Sequence, residues 1–291
     1  MPELPEVETI RRGLLTFMVG MTITNLEIRC THLRYAFPIN FSERVKNKKI
    51  INISRRAKYL LINLEQNLSI VIHFGMSGSF IVEKDGLEKT DQTRAKNSKH
   101  DHVILYLEKE ALLYRVIYND PRRFGFMDLV VSSLVNEYPS FVNLGPEPLE
   151  DSFNVFHLEK YFTGRKGKLK TALLNQKLVA GLGNIYVCEA LWRAGLSPMR
   201  TMKTLVNNNT TPDSKLFILQ KAIHNVISEA IEAGGSSLRD YIQVNGSLGS
   251  FQNCFYVYNR EGKPCLSNCG TLIRRTMQAG RSTFYCEVCQ N

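Results

Sequence analysis

The chain of 291 residues reads as an α+β protein built in three parts. Three observations predict this class. Short β-prone runs recur between Met21 and about Val131, at a spacing that suits a β-sandwich or flattened barrel. After residue 150 the apolar pattern changes to helical periodicity. Two tight cysteine pairs then close the chain, Cys265 with Cys269 and Cys286 with Cys289.

The elements follow in order. Residues 2–18 form a helix on this reading. Pro5 suits a first turn, and Val7, Ile10, Leu14 and Met18 fall on one face. Ile23, Leu26 and Ile28 approximate an alternating strand face. Tyr59–Leu64, Leu68–His73, Phe80–Val82, His102–Leu107 and Leu112–Tyr118 are further short strands. Asp85–Lys99 is polar and charged and reads as an exposed loop. Leu144–Asp151 (LGPEPLED) reads as a linker. Helices are expected over Phe153–Phe162, Leu169–Leu174, Ile185–Ala194 and Ser214–Ala233, with Asn207–Thr211 a polar loop before the last of them. The final 40 residues are strands, turns and the cysteine pairs. This divides the chain at 1–150, 151–250 and 251–291, with no internal repeat.

The net charge is +10, and it is uneven. Residues 1–150 carry 20 Lys and Arg against 18 Asp and Glu, while residues 151–291 carry 17 against 9. A basic second half suits a polyanion, because each cation set on a phosphate releases condensed counterions. It equally suits a merely basic, soluble surface. No apolar stretch is long enough to span a membrane. Glu3, Glu6 and Glu8 precede any apolar run, the reverse of a signal peptide. The expectation is a soluble protein of the cytoplasm.

Seven cysteines, an odd number, argue against a disulfide framework. In Cys265-x3-Cys269…Cys286-x2-Cys289, thiolates three and four residues apart can grip one tetrahedral zinc ion. Disulfides are the rival reading of the same spacing. Four thiolates leave no position open for water, so the ion is structural. Thr283–Tyr285 is β-prone, which predicts a zinc-pinned hairpin carrying Arg274, Arg275 and Arg281. Cys254 lies nearby as an extra thiol.

Proline after the initiator Met favours removal of that Met, leaving a secondary amine at Pro2. An N-terminal amine titrates near ~8, so part of it is neutral at pH 7. It can attack an electrophilic sugar carbon and form an iminium. Glu3 stands beside it to move protons, and Glu6 lies one helical turn on. Pro and acidic residues are also what a helix start favours. Arg165, Lys166, Lys168 and Lys170 make a basic run. Gly181 and Gly183 permit close backbone approach to a phosphate, and Asn184 is placed to cap the helix from Ile185.

Eight motifs, in one order from residue 2 to 290, together resemble the formamidopyrimidine-DNA glycosylase family. They are MPELPEVE at the start, Lys58 in SRRAKYL, GMSGS at 75–79, HDHV at 100–103, DPRRFG at 120–125, LGPEPL at 144–149, GLGNIY at 181–186 and the cysteine finger. The resemblance implies a bifunctional glycosylase and abasic-site lyase acting, as a monomer, on 8-oxoguanine and ring-opened purines in duplex DNA. It implies an N-terminal β-sandwich catalytic domain with flanking helices, a helix–two-turn–helix DNA-binding domain and a C-terminal zinc-finger β-hairpin, with DNA in the cleft between domains. One structural zinc and no organic cofactor are implied.

By matching motif, Pro2 is the nucleophile, Glu3 the proton donor, Lys58 the acid for β-elimination and Arg281 the residue of δ-elimination. Glu6 and Glu189 match further acids of the site. His100, Arg122, Arg165, Lys170 and Asn184 match DNA contacts. Met76, Arg122 and Phe124 match the side chains that fill the space left by a flipped nucleotide. Three departures stand out. The first cysteine pair has three intervening residues where the family usually has two, Arg165 replaces a common lysine, and Cys254 is additional. Residues 234–251 (GGSSLRDYIQVNGSLGSF) resemble the family's loop over the flipped base. The nearest rival is the endonuclease VIII-like branch, which prefers oxidised pyrimidines. A non-catalytic zinc-finger DNA-binding protein is a rival of another class, and it has no need of Pro2, Glu3 or Lys58.

Overall fold

A computed structural model describes residues 2–84, 96–206, 212–237, 243–244 and 246–291. Most of the expected 85–99 loop, the 207–211 loop and part of the 234–251 loop lie outside the described residues. The chain forms two compact units. One comprises residues 1–142 and 233–250, the other 143–232 and 251–291.

In the first unit, α1 (Leu4–Met18) leads into eight strands and a short helix α2 (Phe41–Val45). The strands are β1 (Thr22–Ile28), β2 (Lys48–Arg56), β3 (Tyr59–Leu64), β4 (Leu68–His73), β5 (Ser79–Lys84), β6 (Asp101–Lys109), β7 (Leu112–Asn119) and β8 (Phe126–Val131). Their order is β5-β7-β6-β1-β2-β3-β4-β8, and neighbours pair antiparallel. The β1–β2 junction is narrow, with only Thr22 and Ile23 paired to Lys49 and Lys48. The sheet is therefore two four-stranded leaves joined at one corner, and inward residues of both leaves share one core. Leu26, Val103, Leu105 and Val116 come from one leaf, and Leu60, Ile62, Ile70 and Ile72 from the other. Val7, Ile10, Leu14 and Met18 of α1 join the same core, as the helical spacing predicts.

Two strands escape the sequence pattern. In β2, Ile50 and Ile53 are both buried although three residues apart, which a regular strand forbids. A register shift between Ile50 and Asn52 against β3 lets both point inward. In β8, Phe126 and Met127 are consecutive and both buried.

The segment 233–250 falls within the span expected to accompany the helices, yet it packs on the N-terminal unit. Val244 belongs to that unit's core, and a Cβ on Gly13 would lie 3.2 Å from its side chain.

In the second unit, α3 (Val155–Phe162), α4 (Leu169–Leu173), α5 (Asn184–Arg193) and α6 (Ser214–Glu232) precede a hairpin of β9 (Arg274–Gln278) and β10 (Arg281–Tyr285). Each expected helix is present within two residues of its expected ends. Among the described residues, no helix is long and apolar enough to cross a membrane.

Candidate active site, nucleic-acid interface and metal centre

The start of α1 is sealed. Pro2 is buried, and so are Glu3, Leu4 and Glu6. Glu3 and Glu6 form a capping box, in which the Glu3 backbone N–H donates to Glu6 Oε2 at 2.8 Å. The other Glu6 oxygen accepts from the Ser236 backbone N–H at 2.8 Å. Glu6 thus fixes the helix start to the 233–250 segment and holds the neighbouring Glu3 and Pro2 in place.

Lys58 sits in the two-residue turn between β2 and β3 and is only 7% exposed. A chain of charged contacts sets this turn. Glu8 on α1 accepts from Arg11 Nη2 at 2.7 Å, Arg12 Nε at 3.0 Å and Arg55 Nε at 3.2 Å. Arg55 Nη1 in turn donates to the Ala57 carbonyl at 2.9 Å. Ala57 has φ 52°, a left-handed conformation unfavourable for a residue with a Cβ. Burial pushes the Glu8 carboxyl up, but the hydrogen bonds from Arg11 and Arg12 and the Arg11 and Arg55 charges outweigh it and bring it to about 2.

His73 is a neighbour that the sequence reading missed. It closes β4 opposite Tyr59, and its ring stacks on Phe126. Nδ1 accepts the Gly75 backbone N–H at 3.1 Å. Burial, then the charges of Lys58 and Arg34, lower its pKa to about 4, so the ring is neutral near pH 7. No motif marked it, because its partners come from four separate segments.

The GMSGS and DPRRFG loops interlock around Asp120, which is fully buried. Its carboxylate accepts from Ser77 Oγ at 2.5 Å and from the Gly125 N–H at 2.9 Å. The Arg122 N–H lies 3.3 Å away and Tyr118 Oη 3.4 Å. The Asp120 N–H donates to the His100 carbonyl at 3.0 Å. Gly75 has φ +58°, and a Cβ there would lie 2.3 Å from the Phe124 carbonyl carbon, so only glycine fits. Met76 and Phe124 are 38% and 46% exposed, and the Arg122 guanidinium sits 4.7 Å from the Phe124 ring centroid. The fold therefore presents apolar side chains to solvent, and Asp120 ties their loops together: its carboxylate holds the neighbours of Met76 and Phe124 and the Arg122 N–H, and its backbone N–H holds His100.

The second unit holds the remaining expected residues. Arg165 is exposed, its guanidinium 3.9 Å from the Tyr161 ring centroid. Asn184 is the first residue of α5 rather than its cap, since Gly183 occupies the cap position. Its Nδ2 instead donates to the Ser282 carbonyl at 3.0 Å. Lys170 is 0% exposed, unlike a solvated member of a basic run. Its Nζ donates to the Ser282 carbonyl at 2.9 Å and Thr283 Oγ1 at 2.7 Å, so its charge is spent inside the unit. Glu189 is also internal and accepts from the backbone N–H groups of Tyr256, Val257 and Tyr258 at 2.9, 3.0 and 2.8 Å. Burial raises its pKa, and the three donors work against that rise. Arg281 is exposed at the start of β10.

The sulfur atoms of Cys265, Cys269, Cys286 and Cys289 lie within 4.8 Å of one another, and none is in a disulfide. Four converging thiols of this kind suit tetrahedral zinc, and the three-residue spacer does not disrupt the cluster. Asn268, with φ 57°, and Gly270, with φ 76°, take up the turn. Ser267 Oγ lies 2.8 Å from Cys289 Sγ and 3.1 Å from Cys265 Sγ. Cys254 is exposed and outside the cluster. Four protein ligands saturate the ion, so its task is to hold the finger's shape.

Comparison with known proteins agrees along the chain. Residues 1–127 match the formamidopyrimidine-DNA glycosylase N-terminal domain, 144–241 the formamidopyrimidine-DNA glycosylase H2TH domain, and 262–291 the zinc finger found in FPG and IleRS. The chain is 51% identical to the formamidopyrimidine-DNA glycosylase of Agrobacterium fabrum and 52% identical to that of Bartonella bacilliformis, in each case over 100% of both chains. Among solved structures, the Lactococcus lactis Fpg in complex with abasic-site DNA matches with a TM-score of 0.85 at 33% identity over 100% of both chains. The MutM (FPG) protein of Thermus thermophilus matches with a TM-score of 0.82 at 36% identity, over 99% of this chain and 98% of that one. Sealed helix start, interlocked loops, four-thiol finger and full-length likeness agree: the chain belongs to the formamidopyrimidine-DNA glycosylase family.

Proposed function

We propose that this protein excises oxidised purines, 8-oxoguanine and formamidopyrimidines, from duplex DNA and then cleaves the strand at the resulting abasic site. The observation that carries the reading is the buried Pro2–Glu3–Glu6 group at the start of α1. Once Met1 is removed, an N-terminal amine that titrates near ~8 is partly neutral, and so nucleophilic, at pH 7.

With Met1 removed, the Pro2 nitrogen attacks C1′ of the flipped nucleotide, and the base leaves as the C1′–N bond breaks. Glu3 moves the protons, and an iminium links enzyme and sugar. Loss of the C2′ proton expels the 3′ phosphate, with Lys58 as acid. A second elimination, assisted by Arg281, expels the 5′ phosphate and leaves a one-nucleoside gap. Met76, Arg122 and Phe124 occupy the vacated space, and His100, Arg165 and Asn184 meet the DNA backbone. Zinc shapes the finger and takes no part in these steps. The relatives' name, formamidopyrimidine-DNA glycosylase, favours the purine reading over the pyrimidine one.

Borohydride trapping on an 8-oxoguanine:cytosine duplex tests this. The expected result is a covalent adduct on Met-free chain, absent in P2G. Absence of an adduct from Met-free wild-type protein would sink the mechanism, and faster cleavage of a thymine-glycol duplex would overturn the substrate class.

A further inference from the structure

The hairpin tip that carries Arg281 is built on a buried post. Gln278 pairs with Arg281, and the two residues between them, Ala279 at φ 48° and Gly280 at φ 73°, make a tight turn with both angles positive. Such a two-residue tip fixes the direction of Arg281 only if the strands beneath it are themselves fixed. Three contacts from elsewhere in the same unit fix them. Lys170 of α4 grips the Ser282 carbonyl and Thr283 Oγ1, at 2.9 and 2.7 Å. Asn184 of α5 donates to the same carbonyl at 3.0 Å. The Thr283 hydroxyl in turn donates a hydrogen bond to Gln278 Oε1 at 2.9 Å, and Gln278 Nε2 donates to the Pro198 carbonyl at 3.1 Å.

Lys170 therefore heads a relay, Lys170 to Thr283 to Gln278 to Pro198, that crosses the hairpin directly below its tip. Both hydrogen-bond acceptors of the ammonium, the Ser282 carbonyl and Thr283 Oγ1, are neutral, and the side chain is sealed from water. Burying a charge without a carboxylate costs free energy. That cost is unexplained if the residue only fills space. It is explained if the geometry of the hairpin depends on the two directed N–H bonds that this ammonium makes to Ser282 and Thr283.

We propose that Lys170, through Thr283, is a positioning residue that aims Arg281, and that it acts on the second elimination rather than by touching DNA itself. This rests on the reading of Arg281 given above. A serine or threonine hydroxyl at position 283 is part of the device, and a valine of the same shape is not a substitute.

The test uses full-length, zinc-loaded protein on a preformed abasic-site duplex, scoring the ratio of δ- to β-elimination product. T283V removes only the hydroxyl, T283S keeps it, and K170M removes the post. The expected ratio falls at least fivefold in K170M and at least twofold in T283V, and stays within 1.5-fold of wild type in T283S. Zinc stays near one ion per chain in all three. Amide exchange over residues 278–282, read by mass spectrometry, speeds at least tenfold in K170M. Ratios within 1.5-fold of wild type in both K170M and T283V would overturn the proposal. Where K170M does not fold, the T283V and T283S pair decides alone. Where wild type stops at β-elimination, the role given to Arg281 fails separately, and unchanged exchange in T283V then overturns the anchor as well.

Discussion

Asp120 gives the sharpest test of how the interlocked loops are held. Replacing it with Ala removes the acceptor for Ser77 Oγ at 2.5 Å and the Gly125 N–H at 2.9 Å, two short bonds. The contacts to the Arg122 N–H and Tyr118 Oη, at 3.3 and 3.4 Å, are long and add little. A hydrogen bond to a charged group contributes about 1.5–3 kcal/mol, and stranded buried donors lose that in full. Relief from burying the carboxylate offsets part of the loss, so D120A should cost about 3–5 kcal/mol of unfolding free energy. D120N separates charge from geometry. Its oxygen can still meet Ser77, but its NH2 then faces the Gly125 N–H, donor against donor. That variant should lose about 2–3 kcal/mol. Urea unfolding with an unchanged slope reads both values. Binding to a duplex carrying a stable abasic analogue, measured in parallel, should weaken at least tenfold in D120A, because Met76, Arg122 and Phe124 lose their common support. Losses below about 1 kcal/mol in both variants would refute the claim that Asp120 is the hub.

Three further outcomes follow from the same geometry. Glu8 is held at about 2, below its unfolded value, so its contribution is complete above roughly pH 5 and fades as pH falls towards 2. The stability gap between wild type and E8Q should be on the order of 1–2 kcal/mol at pH 7 after solvent screening, and should close between pH 5 and 2 in urea titrations. His73 has the opposite consequence. Its pKa of about 4 means the unfolded chain takes up a proton that the native protein refuses, so wild type loses stability as pH falls from about 6.5 to 4. H73Q should lack that slope, and an identical pH profile would show that His73 is not buried neutral. C286S should reduce bound zinc from one ion per chain to less than a tenth, read by elemental mass spectrometry, with proteolysis appearing in the finger.

Much of this protein was legible in the order of its residues. The face Val7–Ile10–Leu14–Met18 needs only helical periodicity, and the helix is there. The runs Tyr59–Leu64 and Leu68–His73 are strands with those boundaries, because each is a short, mostly apolar, β-prone run and the two are separated by the polar turn Glu65–Asn67. β2 was not legible, since the register shift after Ile50 depends on a partner strand that the local sequence does not contain. The four cysteines could be read from spacing alone, because two short bites around one ion form a local constraint. Lys170 could not. Its neighbours Arg165, Lys166 and Lys168 are exposed and it looks like them, yet one helical turn of α4 carries it inward to β10.

The sequence by itself determined the three-part α+β plan, the acid-flanked proline at the helix start, the zinc ligands and the family. Each of these is fixed by periodicity, by residue type at short spacing, or by motifs in order. Only the tertiary structure decided what Glu6, His73, Asp120, Lys170, Asn184 and Glu189 touch. Each has at least one partner far off in sequence, up to 230 residues for Glu6 and Ser236. A buried polar group takes its role from whichever donor or acceptor the packed fold places beside it, and that is settled only when distant segments meet.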